Sequence, residues 1–465
     1  MNLENIHKVY FIGIGGIGMS ALARWFHLNG FAVSGYDRTE SFVTKGLTDL
    51  GIEVHFKDEV DCLSNEFKTK EDTLVVYTPA IPHFHRQYNY FKEKGFVLMK
   101  RAEVLGLLTK DIETIGVAGT HGKTTTSSLL AHLLKEGGVD CIAFLGGIPV
   151  NYQTNFIANE GDFKQAVAVV EADEFDRSFL QLYPNQAIVT SMEADHLDIY
   201  NHHAALVDAF KAFTDKLPKG GRLVCSKEAY KSLKPDLSRL AVDTYSIDAE
   251  SIYADKLVIK DGKYIFDYVG DLGTVKGIAL SLPGLHNVEN ALAAITIALD
   301  KGVPLEKIKP AIDSFKGIKR RFEFIVQEED LAYIDDYAHH PSEIDAVVLA
   351  ARQLYPNKKL AVVFQPHLFS RTRDFMKGFV NSLSKVDELY LLDVYPAREV
   401  PITGVTSEAM LDMIPLDNKM LVSKENVAEA IGASKAEILM TLGAGDIDQL
   451  TVQLKEVVQA KLMVS

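Results

Sequence analysis

The stretch Ile115-Gly116-Val117-Ala118-Gly119-Thr120-His121-Gly122-Lys123-Thr124-Thr125-Thr126 constrains the fold more than any other part of the chain. An apolar run ends at Gly119, a glycine-rich turn follows, and residues 127–134 continue with helical spacing. Strand, turn and helix in that order aim backbone N–H groups and a helix N-terminus at an anion. Lys123 then lies against the outer phosphates of a nucleotide, and the Thr124 hydroxyl is free to ligate Mg²⁺. The match to G-x-x-x-x-G-K-[ST] is not strict, because the pattern requires glycine where this chain has Val117. The plainer alternative is a strand-to-helix turn that happens to contain lysine. The strand before the turn and the helix after it are the context a phosphate loop requires.

The chain has 465 residues, room for about three domains at ~150 residues each. A net charge of −14 argues against a general nucleic-acid binder, which needs a basic face. An anionic small substrate stays open, since local Lys, Arg and Mg²⁺ can hold one on an acidic background. The cysteines Cys62, Cys141 and Cys225 are too few and too scattered for a disulfide framework or a zinc site. No basic-then-apolar leader and no run near ~20 apolar residues is present. The expectation is a soluble cytoplasmic protein without membrane insertion, and no obligate protein partner is evident.

The N-terminal region reads as a strand at 9–12, then Gly13-Ile14-Gly15-Gly16-Ile17-Gly18, a helix, and a second strand over 31–35 leading to Asp37. This is G-x-G-x-x-G with an acid ~20 residues on, a dinucleotide-type fingerprint. The glycines bring a helix N-terminus close to a diphosphate and do not distinguish NAD from another nucleotide diphosphate. A further strand over 73–77 precedes a Pro-broken loop.

Beyond the phosphate loop, two apolar strands end in acidic chemistry. Residues 166–170 run into Glu171-Ala172-Asp173-Glu174, and 186–190 run into Ser191-Met192-Glu193-Ala194-Asp195-His196. Solidly apolar strands belong inside a parallel sheet, with ligands beyond their carboxyl ends. Three strand ends are therefore expected to bring Thr124, Glu171 and His196 to one crevice. Residues 240–280 alternate and suggest a small antiparallel patch, followed by a helix capped by His286 or Asn287. Character changes near Gly317. Strands over 331–334, 360–364, 389–392 and 438–442 then alternate with helices, as in a third parallel α/β domain.

Glu171 is a hard oxygen ligand well placed for Mg²⁺, or else a helix cap or surface carboxylate. His196 completes a second metal position or orients a substrate carboxylate, with Asp195 as support behind it. Lys211, one helix further on, reaches the same cleft or is an ordinary solvated lysine. Arg320 and Arg321 are either a solvated basic pair or an arm that meets the γ-phosphate. Arg371 and Arg373 can grip a carboxylate bidentately.

Seven motifs in order carry a resemblance. They are Gly-Ile-Gly-Gly-Ile-Gly-Met-Ser at 13–20, Gly-Thr-His-Gly-Lys-Thr-Thr-Thr at 119–126, Glu-Ala-Asp-Glu at 171–174, Asp-His-Leu-Asp at 195–198, Leu-His-Asn-Val-Glu-Asn-Ala at 285–291, Lys-Arg-Arg-Phe at 319–322 and Asp-Asp-Tyr-Ala-His-His-Pro at 335–341. Together they resemble the Mur ligases of peptidoglycan synthesis, most of all the alanine-adding branch. The resemblance implies three α/β domains. A Rossmann-like N-terminal domain (1–108) binds the UDP part of UDP-N-acetylmuramate through Gly15, Gly16, Ile17, Gly18 and Asp37. A central P-loop ATPase-like parallel sheet (109–316) binds ATP and Mg²⁺, and a Rossmann-like C-terminal domain (317–465) binds L-alanine.

It also implies site roles. ATP falls to Gly119, Thr120, His121, Gly122, Lys123, Thr124, Thr125 and Arg320, with Asn290 at the adenine end. Thr124 and Glu171 hold one metal and His196 a second. Lys123, Glu171, His196 and Arg321 are the catalytic set, Arg321 or Arg320 arriving from the domain hinge. Tyr337, His339 and Arg371 hold the alanine. Where some relatives have a second arginine after Gln-Pro-His, this chain has Leu368. Sister ligases carry a carbamylated lysine near the metals, which Lys211 is not expected to be. The rivals are a sister ligase that attaches a whole peptide and an NAD-dependent oxidoreductase. The latter leaves the Gly-Lys-Thr loop without a role.

Overall fold

The structure, a computed structural model, describes residues 5–79, 81–159, 163, 165–193, 200, 203–260, 262–328, 331–397 and 399–462. Its first sheet contains β1 (Lys8–Ile12), β2 (Ala32–Tyr36), β3 (Glu53–His55), β4 (Thr73–Tyr77) and β5 (Val97–Lys100), ordered β3-β2-β1-β4-β5. Every pairing in it is parallel. The central strand shows why Lys-Val-Tyr-Phe-Ile is apolar without alternating. Val9 and Phe11 enter one core with Phe26 and Leu74, while Tyr10 and Ile12 enter another with Val75 and Phe91. Side chains leave a strand on alternate faces, and both faces here are covered. Strand order reverses between β1 and β4, so the glycine loop after β1 sits at the switch point where such sheets take ligands.

The second sheet has β6 (Thr114–Ala118), β7 (Cys141–Phe144), β8 (Phe156–Ala158), β9 (Val167–Ala172), β10 (Gln186–Val189), β11 (Arg222–Ser226), β12 (Ala241–Ser246), β13 (Ile252–Lys260), β14 (Lys263–Gly270) and β15 (Gly273–Leu280). Their order is β15-β14-β13-β12-β11-β10-β6-β9-β7-β8. The phosphate-loop strand β6 lies between β10 and β9, parallel to both. The expected small antiparallel patch at 240–280 is instead an extension of this sheet that begins with parallel pairings. β12 pairs parallel with β11 and β13 parallel with β12, and β14 and β15 continue the sheet outward in chain order. The helix Leu285–Asp300 starts before the expected caps, directly after Gly284 at φ +96°, so His286 and Asn287 lie inside its first turn.

The third sheet comprises β16 (Glu323–Gln327), β17 (Ala332–Asp336), β18 (Leu360–Phe364), β19 (Glu388–Leu391), β20 (Lys419–Leu421) and β21 (Ile438–Leu442), ordered β16-β17-β21-β18-β19-β20. It is parallel except for the edge strand β16. The chain forms two compact units. One is Met1–Val258 with Ile265–Leu280 and Leu285–Lys316; the other is Ile259–Tyr264 with Ser281–Gly284 and Gly317–Ser465. Within the first unit a single core joins the first two sheets, running from Phe11 and Phe26 through Val104 to Phe144, Val170 and Phe213. Among the described residues no helix is long and apolar enough to cross a membrane.

Candidate active site

The fully buried β6 delivers the chain to Gly119 at φ +145°, and Gly122 at φ +82° turns it into the helix Lys123–Gly137. Both glycines are demanded by crowding as well as by φ. A Cβ on Gly122 would stand 2.5 Å from Asn290 Oδ1, and one on Gly119 would collide with the Thr190 hydroxyl. Asn290 is buried beside the loop and donates to Asn287 Oδ1 at 3.1 Å.

The end of β10 braces the loop from the other side. Thr120 N donates to Ser191 O at 3.1 Å, His121 N donates to Ser191 Oγ at 2.8 Å, and Thr190 Oγ1 donates to Ala118 O at 3.2 Å and to His121 O. Glu193 N donates to Thr120 Oγ1 at 3.1 Å, so the segment leading toward residue 196 starts against the loop. His196 and Asp195 lie outside the described residues.

β9 supplies the acids. Thr124 Oγ1 donates to Glu171 Oε1 at 3.0 Å, and Gly146 N donates to Glu171 Oε2 at 2.9 Å. Burial pushes the Glu171 carboxyl above its ordinary pKa, against the opposing pull of Lys123 and of the Thr124 hydrogen bond. A hydroxyl and a carboxylate 3.0 Å apart at a helix N-terminus are the hard oxygens that Mg²⁺ takes, and a cation there would restore the charged form. Lys123 Nζ donates to Glu174 Oε2 at 2.7 Å, to Glu174 Oε1 at 3.0 Å and to Gly119 O at 2.6 Å. The Glu174 side chain is 0% exposed and that of Lys123 14%. The phosphate-loop lysine is thus held in a buried ion pair.

At the N-terminal loop, Gly15 N donates to Asp37 Oδ2 at 2.7 Å, so the fingerprint acid closes onto the loop itself. Asn155 Nδ2 donates to Ser20 Oγ at 3.0 Å and to Ile17 O, which ties the helix Ile17–Leu28 to the residue preceding β8. Gly16 caps that helix, and Ile17 and Gly18 are its first two residues. Lys211 is exposed on the helix His203–Thr214.

The second unit carries its own cluster. Arg320 is taken up internally: Nε donates to Asp335 Oδ2 at 3.2 Å, and Nη2 donates to Gly443 O. Arg321 is exposed, with its guanidinium 5.8 Å from the Tyr337 ring centroid. Asp336 accepts from Phe322 N at 2.6 Å and Ala338 N at 2.7 Å, fixing the turn that presents Tyr337. Burial raises Asp336 to about 6, with Arg321 pulling the other way. The Tyr337 and His339 rings are 5.2 Å apart, and His339 and His367 6.2 Å. Arg371 Nη1 donates to His367 Nδ1 at 3.5 Å, and His367 stacks on Tyr395 at 5.7 Å. Burial, then the neighbouring Arg371 and His339, push His367 down to about 4, so it is a neutral acceptor. Arg373 points elsewhere, paired with Asp374 at 2.8 Å on the surface.

The structure therefore brings Lys123, Thr124 and Glu171 together in the first unit, and Tyr337, His339 and Arg371 in the second. Sequence reasoning missed the partners of these groups: Glu174 for Lys123, Ser191 and Thr190 for the loop, and His367 for Arg371. The Glu-Ala-Asp-Glu spacing was the available signal for Glu174, since on an ordinary strand residues 171 and 174 face opposite ways and only a turn after Ala172 returns both to the loop.

Comparison with known proteins finds similarity along nearly the whole chain. Residues 8–112 match the Mur ligase family catalytic domain, 117–298 the Mur ligase middle domain, and 320–446 the Mur ligase glutamate ligase domain. A UDP-N-acetylmuramate–L-alanine ligase of Flavobacterium psychrophilum is 49% identical over 461 residues, spanning 99% of this chain and 100% of the relative. One from Cytophaga hutchinsonii is 48% identical over 98% of this chain and 97% of its own length. The crystal structure of a UDP-N-acetylmuramate-alanine ligase from Thermotoga maritima superposes with a TM-score of 0.82 at 26% identity, covering 98% of this chain and 99% of that one.

Proposed function

The chain belongs to the Mur ligase family, and from that premise we propose that it is an ATP-dependent ligase joining L-alanine to the lactyl carboxylate of UDP-N-acetylmuramate. The product is a peptidoglycan precursor. The observation that carries this reading is the pairing of two glycine loops at helix N-termini in one unit, with Lys123, Thr124 and Glu171 at the second, in a chain 49% identical along its full length to an alanine-adding ligase.

A carboxylate is a poor acyl donor, so it needs a leaving group before an amine can displace anything from it. The lactyl carboxylate oxygen attacks the γ-phosphorus of ATP, the bond to the β-phosphate oxygen breaks, and ADP leaves. The unprotonated alanine amine then attacks the acyl carbon, inorganic phosphate departs, and the amine's proton is released as the amide forms. Mg²⁺, held by Thr124 and Glu171, supplies charge neutralisation for the phosphates when bound. Lys123 and the loop amides from Gly119 to Thr125 receive the charge that develops on the transferred phosphoryl group. Asn290, beside Gly122, contributes to the nucleotide pocket, and His196 is assigned to a second metal. Arg321, exposed where Arg320 is not, is the arginine assigned to the phosphates.

Gly15, Gly16, Ile17, Gly18 and Asp37 form the sugar-nucleotide loop. Tyr337, His339 and Arg371 receive the alanine, with Arg371 as the carboxylate grip. The division of labour follows residues 1–108 for the sugar nucleotide, 109–316 for ATP and 317–465 for the amino acid. The work is placed in the cytoplasm, where ATP is supplied. The test is ADP release from a panel of amino acids and short peptides with UDP-N-acetylmuramate. The expected result is turnover that requires the sugar nucleotide and is best with L-alanine. Turnover with a short peptide instead would move the chain to the peptide-attaching sister branch.

A further inference from the structure

Arg101 opens the helix Arg101–Thr109 directly after β5, and its side chain runs back over the N-terminal glycine loop. A Cβ placed on Gly18 would stand 2.8 Å from both Cδ and Nη1 of Arg101 and 3.0 Å from Nε, so the guanidinium lies against the first turn of the helix Ile17–Leu28. On its other side are the acids of β9 and the turn that follows. Arg101 lines a narrow cleft with Glu171, Asp173 and Phe179, and Nη2 comes within 3.9 Å of Asp173 Oδ2. The side chain is 24% exposed.

That ion contact is longer than a hydrogen bond, and among the described residues it is the only charged partner Arg101 has. A guanidinium presents five N–H donors in a planar fork suited to paired oxygens. Among the described residues this partly desolvated cation keeps its donors uncommitted at the edge of the N-terminal glycine loop. Asp173 holds it in place without satisfying it. The absence of a side chain at Gly18 is what gives it passage.

We propose that Arg101 is a substrate-positioning residue that grips an oxyanion of the sugar nucleotide between the glycine loop and the β9 acids. This rests on the ligase reading above, since that reading supplies the ligand. A sugar-nucleotide acid offers the matching oxygens in two places, its diphosphate and its lactyl carboxylate, and both are planar or forked acceptors for a bidentate guanidinium.

Calorimetric titration of UDP-N-acetylmuramate and of UDP into the full-length parent, Arg101→Ala and Arg101→Lys tests the proposal, alongside KM for ATP and thermal melting of each protein. Arg101→Ala is expected to weaken UDP-N-acetylmuramate binding by about 10- to 100-fold, the range of a lost charge-assisted pair. KM for ATP and the melting temperature should stay at the parent values, which a merely structural arginine would not allow. Arg101→Lys should restore part of the affinity, because the charge returns without the fork; should the alanine variant fold poorly, the lysine variant's partial loss at full stability carries the same test. Equal weakening of UDP assigns the grip to the diphosphate, and unchanged UDP binding assigns it to the carboxylate. Parent-like binding of UDP-N-acetylmuramate by both variants overturns the role of Arg101 alone. A parent protein that does not bind the sugar nucleotide overturns the ligase reading, and this inference with it.

Discussion

Replacing Lys123 with alanine leaves the backbone of the phosphate loop untouched, and from the sequence alone the expected effect is loss of turnover with an intact fold. The structure changes that expectation. Lys123 Nζ makes contacts of 2.7 and 3.0 Å with a Glu174 carboxylate that is 0% exposed, and its own side chain is 14% exposed. Removing one partner of a buried pair strands the other charge, which costs about 3–5 kcal/mol. The residual exposure of the Lys123 side chain lets water reach the gap its removal leaves, which offsets part of that cost. The lower half of that range, about 3 kcal/mol, is the figure to expect, which for a domain of this size class is a fall in Tm of about 6–12 °C.

Three variants separate pair energy from the energy of either group: Lys123→Ala, Glu174→Ala and the double substitution. The cycle should return a favourable coupling of at least about 1 kcal/mol, with the double variant more stable than the sum of the single losses implies. Glu174→Ala should be milder than Lys123→Ala, since Gly119 O still accepts from Lys123 at 2.6 Å. Urea melts followed by circular dichroism, paired with ADP release, measure all of this. A Lys123→Ala protein that melts within about a degree of the parent at pH 7 would show that the ion pair does not exist in solution.

Two further outcomes follow from the second unit. Arg371→Ala should raise KM for alanine far more than KM for ATP, as expected for a group that grips only the amino acid; equal rises in both would remove Arg371 from that site. His367, held at about 4 against an ordinary value near 6.5, stays neutral in the fold while the unfolded chain takes up a proton as pH falls. Its contribution to stability is therefore complete above about pH 6.5 and erodes between there and about 4. Urea midpoints for the parent and His367→Asn across that window should diverge, the parent losing more as pH drops, and parallel profiles would contradict a neutral, half-buried His367.

Much of the site was readable without coordinates because its signals are local. Gly119, Gly122 and Lys123 announce themselves through a strand that stops, glycines that tolerate positive φ, and a helix that starts. The apolar runs that became β1, β6, β9 and β17 reveal burial on both faces, which only a parallel, covered sheet provides. Short edge strands such as β3, β8 and β20 left no comparable trace, since three residues are too few to establish a period. The stretch at 240–280 was misread for a related reason: alternation shows that one face is wet, and says nothing about which sheet the strands join.

By itself, then, the amino-acid order determined the alternation of strands and helices, the two anion loops and the chemical types gathered near them, because each depends on residues within a few positions of one another. Only the tertiary structure decided that Glu174 is the counterion of Lys123, that Ser191 and Thr190 brace the loop, that Arg320 is consumed by Asp335 while Arg321 is exposed, and that Arg101 leans on Gly18. The hydrogen bonds among those pairings join segments from 15 residues apart, for Arg320 and Asp335, to 72 apart, for Thr190 and Ala118. Which charges meet across such distances is set by sheet order and by the depth at which each group is buried, and neither quantity is carried by a local pattern.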